Sequence, residues 1–195
     1  MADLAIFLMN QNDTWEQLIA IGVGEAAERL NELTDYPISV QAPRVEIIEA
    51  VELPKQLQVY FGSEPIGAAH LPFHGELAGI AQLLFSQQSA IELTVALTEE
   101  EPGTPEFAQL KVEALTEVGN IVLNSVIGIL GNQLERSLTF SVPAYLEDTI
   151  EKLLLTYKFE PEATVLLSNA QFSIEQLSIT GEILIFFEAD LGLQN

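Results

Sequence analysis

The run FAQLKVEALTEVGNIVLNSVIGILGNQL, from Phe107 to Leu134, reads as one long helix, and the rest of the chain is arranged around it. A helix advances about 100° per residue, so Glu113, Glu117, Asn120 and Asn124 share a stripe about 60° wide. Leu115, Val118, Val122, Val126 and Ile129 fall on the opposite side, and Leu110, Ile121, Leu123, Ile127 and Leu130 spread around the flanks. Most of such a helix must be buried, leaving two carboxylates and two amides along one wet edge.

Upstream of it, Thr98 to Pro105 (TEEEPGTP) is a sharp compositional break, with three consecutive glutamates followed by Pro and Gly, and it reads as a linker. Thr104-Pro105 then offers an N-cap and a proline at the first helical position, while Gly131-Asn132 can end the helix. Toward the N-terminus, Leu4 to Met9 reads as a short strand. Asp13 followed by Glu16 has capping-box spacing, and Trp15, Leu18, Ile19, Gly22, Ala26, Leu30 and Leu33 repeat at helical intervals, which predicts a helix over about 13–34. Short β-branched segments bounded by Pro or Gly predict strands at Ile38 to Ala42, Val45 to Val51, Leu57 to Phe61 and Ile66 to Phe73. A second helix is expected over Leu77 to Phe85 and a strand over Ala90 to Leu97. Beyond the long helix, strands are expected at Leu138 to Val142, around Leu153 to Phe159, at Ala163 to Ser168 and at Ile179 to Phe187.

The 195 residues carry 29 acidic and 7 basic side chains, a net charge of -22, which repels phosphate backbones and anionic headgroups. Nucleic acid and membrane surfaces are not expected partners. No uninterrupted apolar run approaches the roughly 18 residues of a membrane span, no signal peptide is recognisable, and a cytoplasmic protein is expected. The absence of cysteine excludes disulfides, thiolate catalysis and thiolate metal sites.

A shift of 100 positions superimposes Pro43 on Pro143, Asp13 on Glu113, Gln17 on Glu117, Ala20 on Asn120, Ile21 on Ile121 and Leu30 on Leu130. Two copies of one helix-plus-sheet unit would close about a pseudo-two-fold axis. The expected fold is therefore α+β, with the two long helices side by side on one face of a mainly antiparallel sheet. One domain over residues 1–195 is expected, with repeat one at about 13–97, the acidic linker at 98–105 and repeat two at about 106–190.

An E-x-x-N pair on a helix occurs by chance on many solvated faces, so Glu117 and Asn120 gain weight only from their frame. Asn120 is followed, after 22 intervening residues, by Pro143, and the same interval separates Ala20 from Pro43. Other candidates are weaker. His70 and His74 stand in an apolar context without a carboxylate pattern, Asp13 reads as an N-cap, and the Glu113/Glu117 pair lacks a third ligand, so no metal site is expected. Pro43 and Pro143 read as strand-end residues, Trp15 as a packing residue and Gly119 as a place of close packing. No nucleotide loop, nucleophile elbow or zinc spacing is present.

The frame Glu113-x3-Glu117-x2-Asn120-x22-Pro143 resembles the signature [DS]-x3-E-x2-N-x22-P of the CheC and CheX family of chemotaxis response-regulator phosphatases. Val118-Gly119 and Ile121 match its E-[IV]-G-N-I context, and Ile21-Gly22-Val23-Gly24 with Ala26-Ala27 is similar to its first-repeat helix. The resemblance spans about residues 13–190. It implies a single CheC-like domain that hydrolyses the aspartyl phosphate of a CheY-like receiver, with Asn120 positioning the attacking water and Glu117 contacting the receiver's lysine. Glu113, Asn124 and Pro143 would support the site or touch the partner. Glu113 departs from the Asp or Ser of the signature, and Asp13, Gln17, Ala20 and Pro43 form a first-repeat frame without the catalytic pair. The resemblance implies no cofactor belonging to the chain itself and Mg2+ on the receiver. The alternative it leaves open is a non-catalytic module binding a receiver, a CheD-like deamidase or a flagellar switch component.

The chemistry suits these residue types. An aspartyl phosphate is already reactive, so a helper need only hold a water in line, and a neutral amide does so without adding negative charge beside the phosphoryl group. The carboxylate of Glu117 can fix register through a charge-assisted bond to an ammonium.

Overall fold

The structure, a computed structural model, describes residues 12–75, 78–155 and 164–188. The strand expected at Leu4 to Met9 lies outside them. In chain order the elements are α1 (Asn12–Thr34), β1 (Ser39–Val40), β2 (Arg44–Glu49), a 3-10 turn (Ala50–Glu52), α2 (Leu53–Phe61), β3 (Ile66–Gly75), β4 (Gly79–Ser86), α3 (Gln87–Thr98), α4 (Phe107–Gln133), β5 (Leu138–Phe140), β6 (Ala144–Asp148), α5 (Ile150–Leu155), β7 (Thr164–Ile174) and β8 (Ile179–Glu188).

Every strand pairing described is antiparallel, and the sheet runs β1-β7-β8-β4-β3-β5, with β2 also on β7 and β6 also on β3. The edge strands of each half pair with a long strand of the other half, so the repeats are interlocked. The central β4–β8 ladder places Leu83 opposite Ile183, residues 100 positions apart, which is where a pseudo-two-fold axis must cross. Away from the axis the correspondence holds to within one residue: Ser39 opposite Ser173 is answered by Thr139 opposite His74, and Arg44 opposite Asn169 by Ala144 opposite His70. Asp35 and Glu135, one after each long helix, both take positive φ, at 60° and 52°.

Helices α1 and α4 lie side by side on one face of the sheet, as the internal duplication requires. Ile19, Val23, Ala26 and Leu30 of α1 and Leu115, Val118, Val122, Val126 and Leu130 of α4 enter one core with the inward residues of β3, β4, β7 and β8. Full burial of each large aliphatic side chain contributes about 1.5–3 kcal/mol over exposure. Gly22 lets the helices approach closely, since a Cβ there would stand 2.9 Å from the Val126 Cα. By length and composition α4 would pass as a membrane span, but 56% of its most apolar stretch is buried inside the molecule.

Four elements differ from the sequence expectation. Leu57 to Phe61 belongs to helix α2, where Leu53 and Leu57 at i, i+4 are buried on the far face of the sheet against α5. Of the helix expected over Leu77 to Phe85, Leu77 is outside the described residues and 79–85 lie in strand β4, buried from Gly79 to Phe85 because the central strand is covered on both faces. A strand covered on both faces loses the alternation that would betray it. Ala90 to Leu97 lies in helix α3, started by Ser86, whose side chain accepts from the Ser89 amide. Leu153 lies in helix α5, and 156–163 is outside the described residues. The long helix begins at Phe107 behind a turn through Thr104 and Pro105 instead of being capped by Thr104. Helix α1, expected over about 13–34, is described from Asn12 to Thr34.

Candidate functional site

The outward stripe of α4 descends into the molecule as it runs C-terminally: Glu113 and Glu117 are exposed, Asn120 and Asn124 half-buried. Val118, Val122 and Val126 behind them are fully buried. The helix is held against the sheet by two contacts beside this stripe. A Cβ on Gly119 would collide with the Ala69 Cβ of β3, so only glycine lets the backbone come this close, and buried Pro143 lies next to the same spot. About two turns earlier, the Lys111 ammonium pairs with the Glu147 carboxylate at 2.7 Å, and the Tyr145 hydroxyl donates to the same carboxylate oxygen at 2.7 Å. Burial, and then the bond to Glu147, push the Tyr145 phenol far above its ordinary range, so it stays a donor. Lys111, Tyr145 and Glu147 were not legible as site neighbours in the sequence. Only the pairing of β6 with β3 brings Glu147 under the helix.

Within the stripe, Gln109 donates to the Glu113 carboxylate at 2.7 Å, which occupies Glu113 along its own helix. Asn124 donates its NH2 to the Asn120 carbonyl oxygen at 2.6 Å. No hydrogen bond or ion pair to another described residue engages Glu117, which therefore presents a free carboxylate. Val142, at 72% exposure just before Pro143, adds an apolar rim. The result is a polar ridge along α4 with a carboxylate and an amide about one turn apart.

In the first repeat Gln17 and Ala20 are exposed and Pro43 is buried; the Asp13 side chain is outside the described set. The groove beside Pro43, about 590 Å3, is lined by Glu16, Gln41, Arg44, Gln171 and Glu182 among others, and neither Gln17 nor Ala20 reaches it. His74 is exposed on β3, whereas His70 is half-buried opposite Gln82 and Ala144, and burial lowers its pKa. Among the described residues no group of three His, Asp or Glu side chains could hold a metal ion. Trp15 packs on Phe187 with ring centroids 5.2 Å apart.

Comparison with family models and with curated proteins finds no match. Solved structures do match over nearly the whole chain. FliY of Thermotoga maritima superimposes with a TM-score of 0.71 at 17% identity, over 93% of this chain and 91% of that one. This chain has the fold of FliY, CheX and the FliM middle domain. A CheX–CheY–BeF3–Mg2+ complex from Borrelia burgdorferi matches with a TM-score of 0.59 at 17% identity, covering 87% of this chain and 97% of that chain. FliM from a FliM–SpeE complex of H. pylori gives 0.66 at 7% identity, over 95% and 91%. The CheX- and FliY-like architecture sets the long helix on one face of the sheet, where its polar edge remains open.

Proposed function

We propose that the chain is a cytoplasmic phosphatase acting on the aspartyl phosphate of a CheY-like response regulator, with one working site in the second repeat. The observation that carries this is the ridge on α4, where exposed Glu117 and half-buried Asn120 stand about one turn apart over a fully buried opposite face. Asn120 would hold the attacking water in line with the scissile bond, and Glu117 would pair with the receiver's lysine, Mg2+ being held by the receiver itself. A CheX of this fold is found in complex with CheY and Mg2+, which supports a receiver as the partner. The test is loss of labelled acyl phosphate from a phosphorylated receiver with and without the protein. Asn120→Ala should remove the stimulation, about 30- to 1000-fold or on the order of 2–4 kcal/mol in the barrier, while receiver binding stays near wild type. Equal rates for wild type and Asn120→Ala would defeat the catalytic assignment.

A second reading is a binding module without turnover. The fold also serves FliM, seen with SpeE, and the first-repeat frame here carries Gln17 and Ala20 in place of the acid–amide pair. In that case a receiver, a CheD-like deamidase or a switch component would bind, and the Asn120 amide would be dispensable.

A further inference from the structure

The Asn120 side chain is not free to rotate. Asn124, one turn on, donates from Nδ2 to Oδ1 of Asn120 at 2.6 Å, and its own Oδ1 is buried without a partner among the described residues. Exchanging O and N on both amides would leave the Asn124 NH2 in that buried position with no acceptor. An orphaned NH2, with two donors, costs more than an orphaned carbonyl, so the orientation with Asn124 as donor is the favoured one. It leaves the second lone pair of the Asn120 carbonyl and both hydrogens of its NH2 without a partner among the described residues, on a side chain that is half-buried.

The first-repeat frame makes the same point by its losses. The counterparts of Asn120 and Asn124 are Ala20 and Gly24, so both members of the pair are missing together. Space does not explain the glycine, because a Cβ at Gly24 would meet nothing within 4 Å.

We propose that Asn124 is a positioning residue for Asn120: its NH2 holds the Asn120 carbonyl and fixes the one amide orientation that can meet the attacking water. The inference rests on the phosphatase reading for its consequence in turnover, but the clamp itself is a property of the chain alone. Holding one rotatable amide in place is a preorganisation effect, felt in the rate and not in the encounter with the partner.

The experiment uses the full chain with a phosphorylated receiver and two variants. Asn124→Leu keeps the branched outline of the side chain and removes the orphaned carbonyl, so its unfolding midpoint should stay near wild type or exceed it. Its kcat for dephosphorylation should fall about five- to twentyfold, with KM unchanged within about twofold. Asn124→Asp sets a carboxylate against the Asn120 carbonyl when ionised and a donor when protonated. Its activity relative to wild type should therefore recover as pH falls from about 8 to about 5, a trend that a purely structural role would not produce. Wild-type kcat in Asn124→Leu, or a flat pH ratio in Asn124→Asp, would overturn the inference.

The side-chain amide spectrum of the free protein separates this from failure of the phosphatase reading. The Asn120 NH2 resonances should move in Asn124→Leu without any receiver present. If they do not move while wild type is active, the positioning role alone falls. If wild type is inert toward every receiver phosphate, the phosphatase reading and the positioning role fall together.

Discussion

Asn120 and Glu117 divide the proposed work by charge. An amide can touch a phosphoryl centre without repelling it, whereas a carboxylate is useful only where the partner offers a cation. Glu117→Ala should therefore weaken receiver affinity as well as rate, by about ten- to hundredfold in kcat/KM, since a hydrogen bond to a charged group is worth about 1.5–3 kcal/mol. Titrating the receiver by fluorescence anisotropy separates the two effects, and unchanged affinity would remove the lysine contact from the scheme. Gln17→Ala should leave dephosphorylation within about twofold, a barrier change of about 0.4 kcal/mol. A collapse of activity there would move the working site to the first repeat. At this scale the sequence was informative, because Glu117, Asn120 and Asn124 share a stripe through local helix geometry alone. The Asn124–Asn120 bond and the Lys111–Glu147–Tyr145 tie needed side-chain directions, and the latter needed a strand from elsewhere in the chain.

Within helix α4 two glycines behave oppositely. A Cβ at Gly119 collides with Ala69, but one at Gly128 meets nothing within 4 Å. Gly119→Ala should destabilise by about 1–3 kcal/mol through overpacking, while Gly128→Ala should stabilise by about 0.5–1 kcal/mol through helix propensity. Urea midpoints of the two variants give the comparison directly. On β8, burial pushes the Glu182 carboxyl above the usual glutamate range, against a smaller downward pull from the Gln171 amide that donates to it. The folded protein therefore binds that proton more tightly than the unfolded chain. The resulting stability is fully present below the unfolded value near 4.5 and is lost as pH rises through the raised folded value. Glu182→Gln should accordingly be more stable than wild type at about pH 7, with the difference shrinking toward about pH 4. Element types misread from sequence have two causes: β4, covered on both faces, has no alternation, and α2, α3 and α5 are too short for periodicity to outvote apolar composition.

Across the whole molecule, the edge strands of each half complete the sheet of the other. Neither half can satisfy its β-ladders alone. Residues 1–101 and 102–195 produced separately should each fail to unfold cooperatively, while co-expression should restore a single transition in a thermal melt. Cooperative unfolding of either half by itself would contradict the interlocked topology. The net charge of -22 also makes the compact state repel itself. Raising NaCl from about 20 to about 300 mM should increase the melting temperature, because the Debye length shrinks below the spacing of most surface carboxylates.

The sequence by itself determined the duplication, the two long helices and the polar stripe on the second. These are encoded in spacings of three, four and about one hundred positions that survive without any knowledge of contacts. Only the tertiary structure decided that the halves exchange edge strands, that Gly119 rests on Ala69 and that Glu147 anchors the helix beside the site. Those facts depend on which distant residues meet. A covered strand or a short helix takes its conformation from the neighbours that bury it, and local propensity carries no record of them.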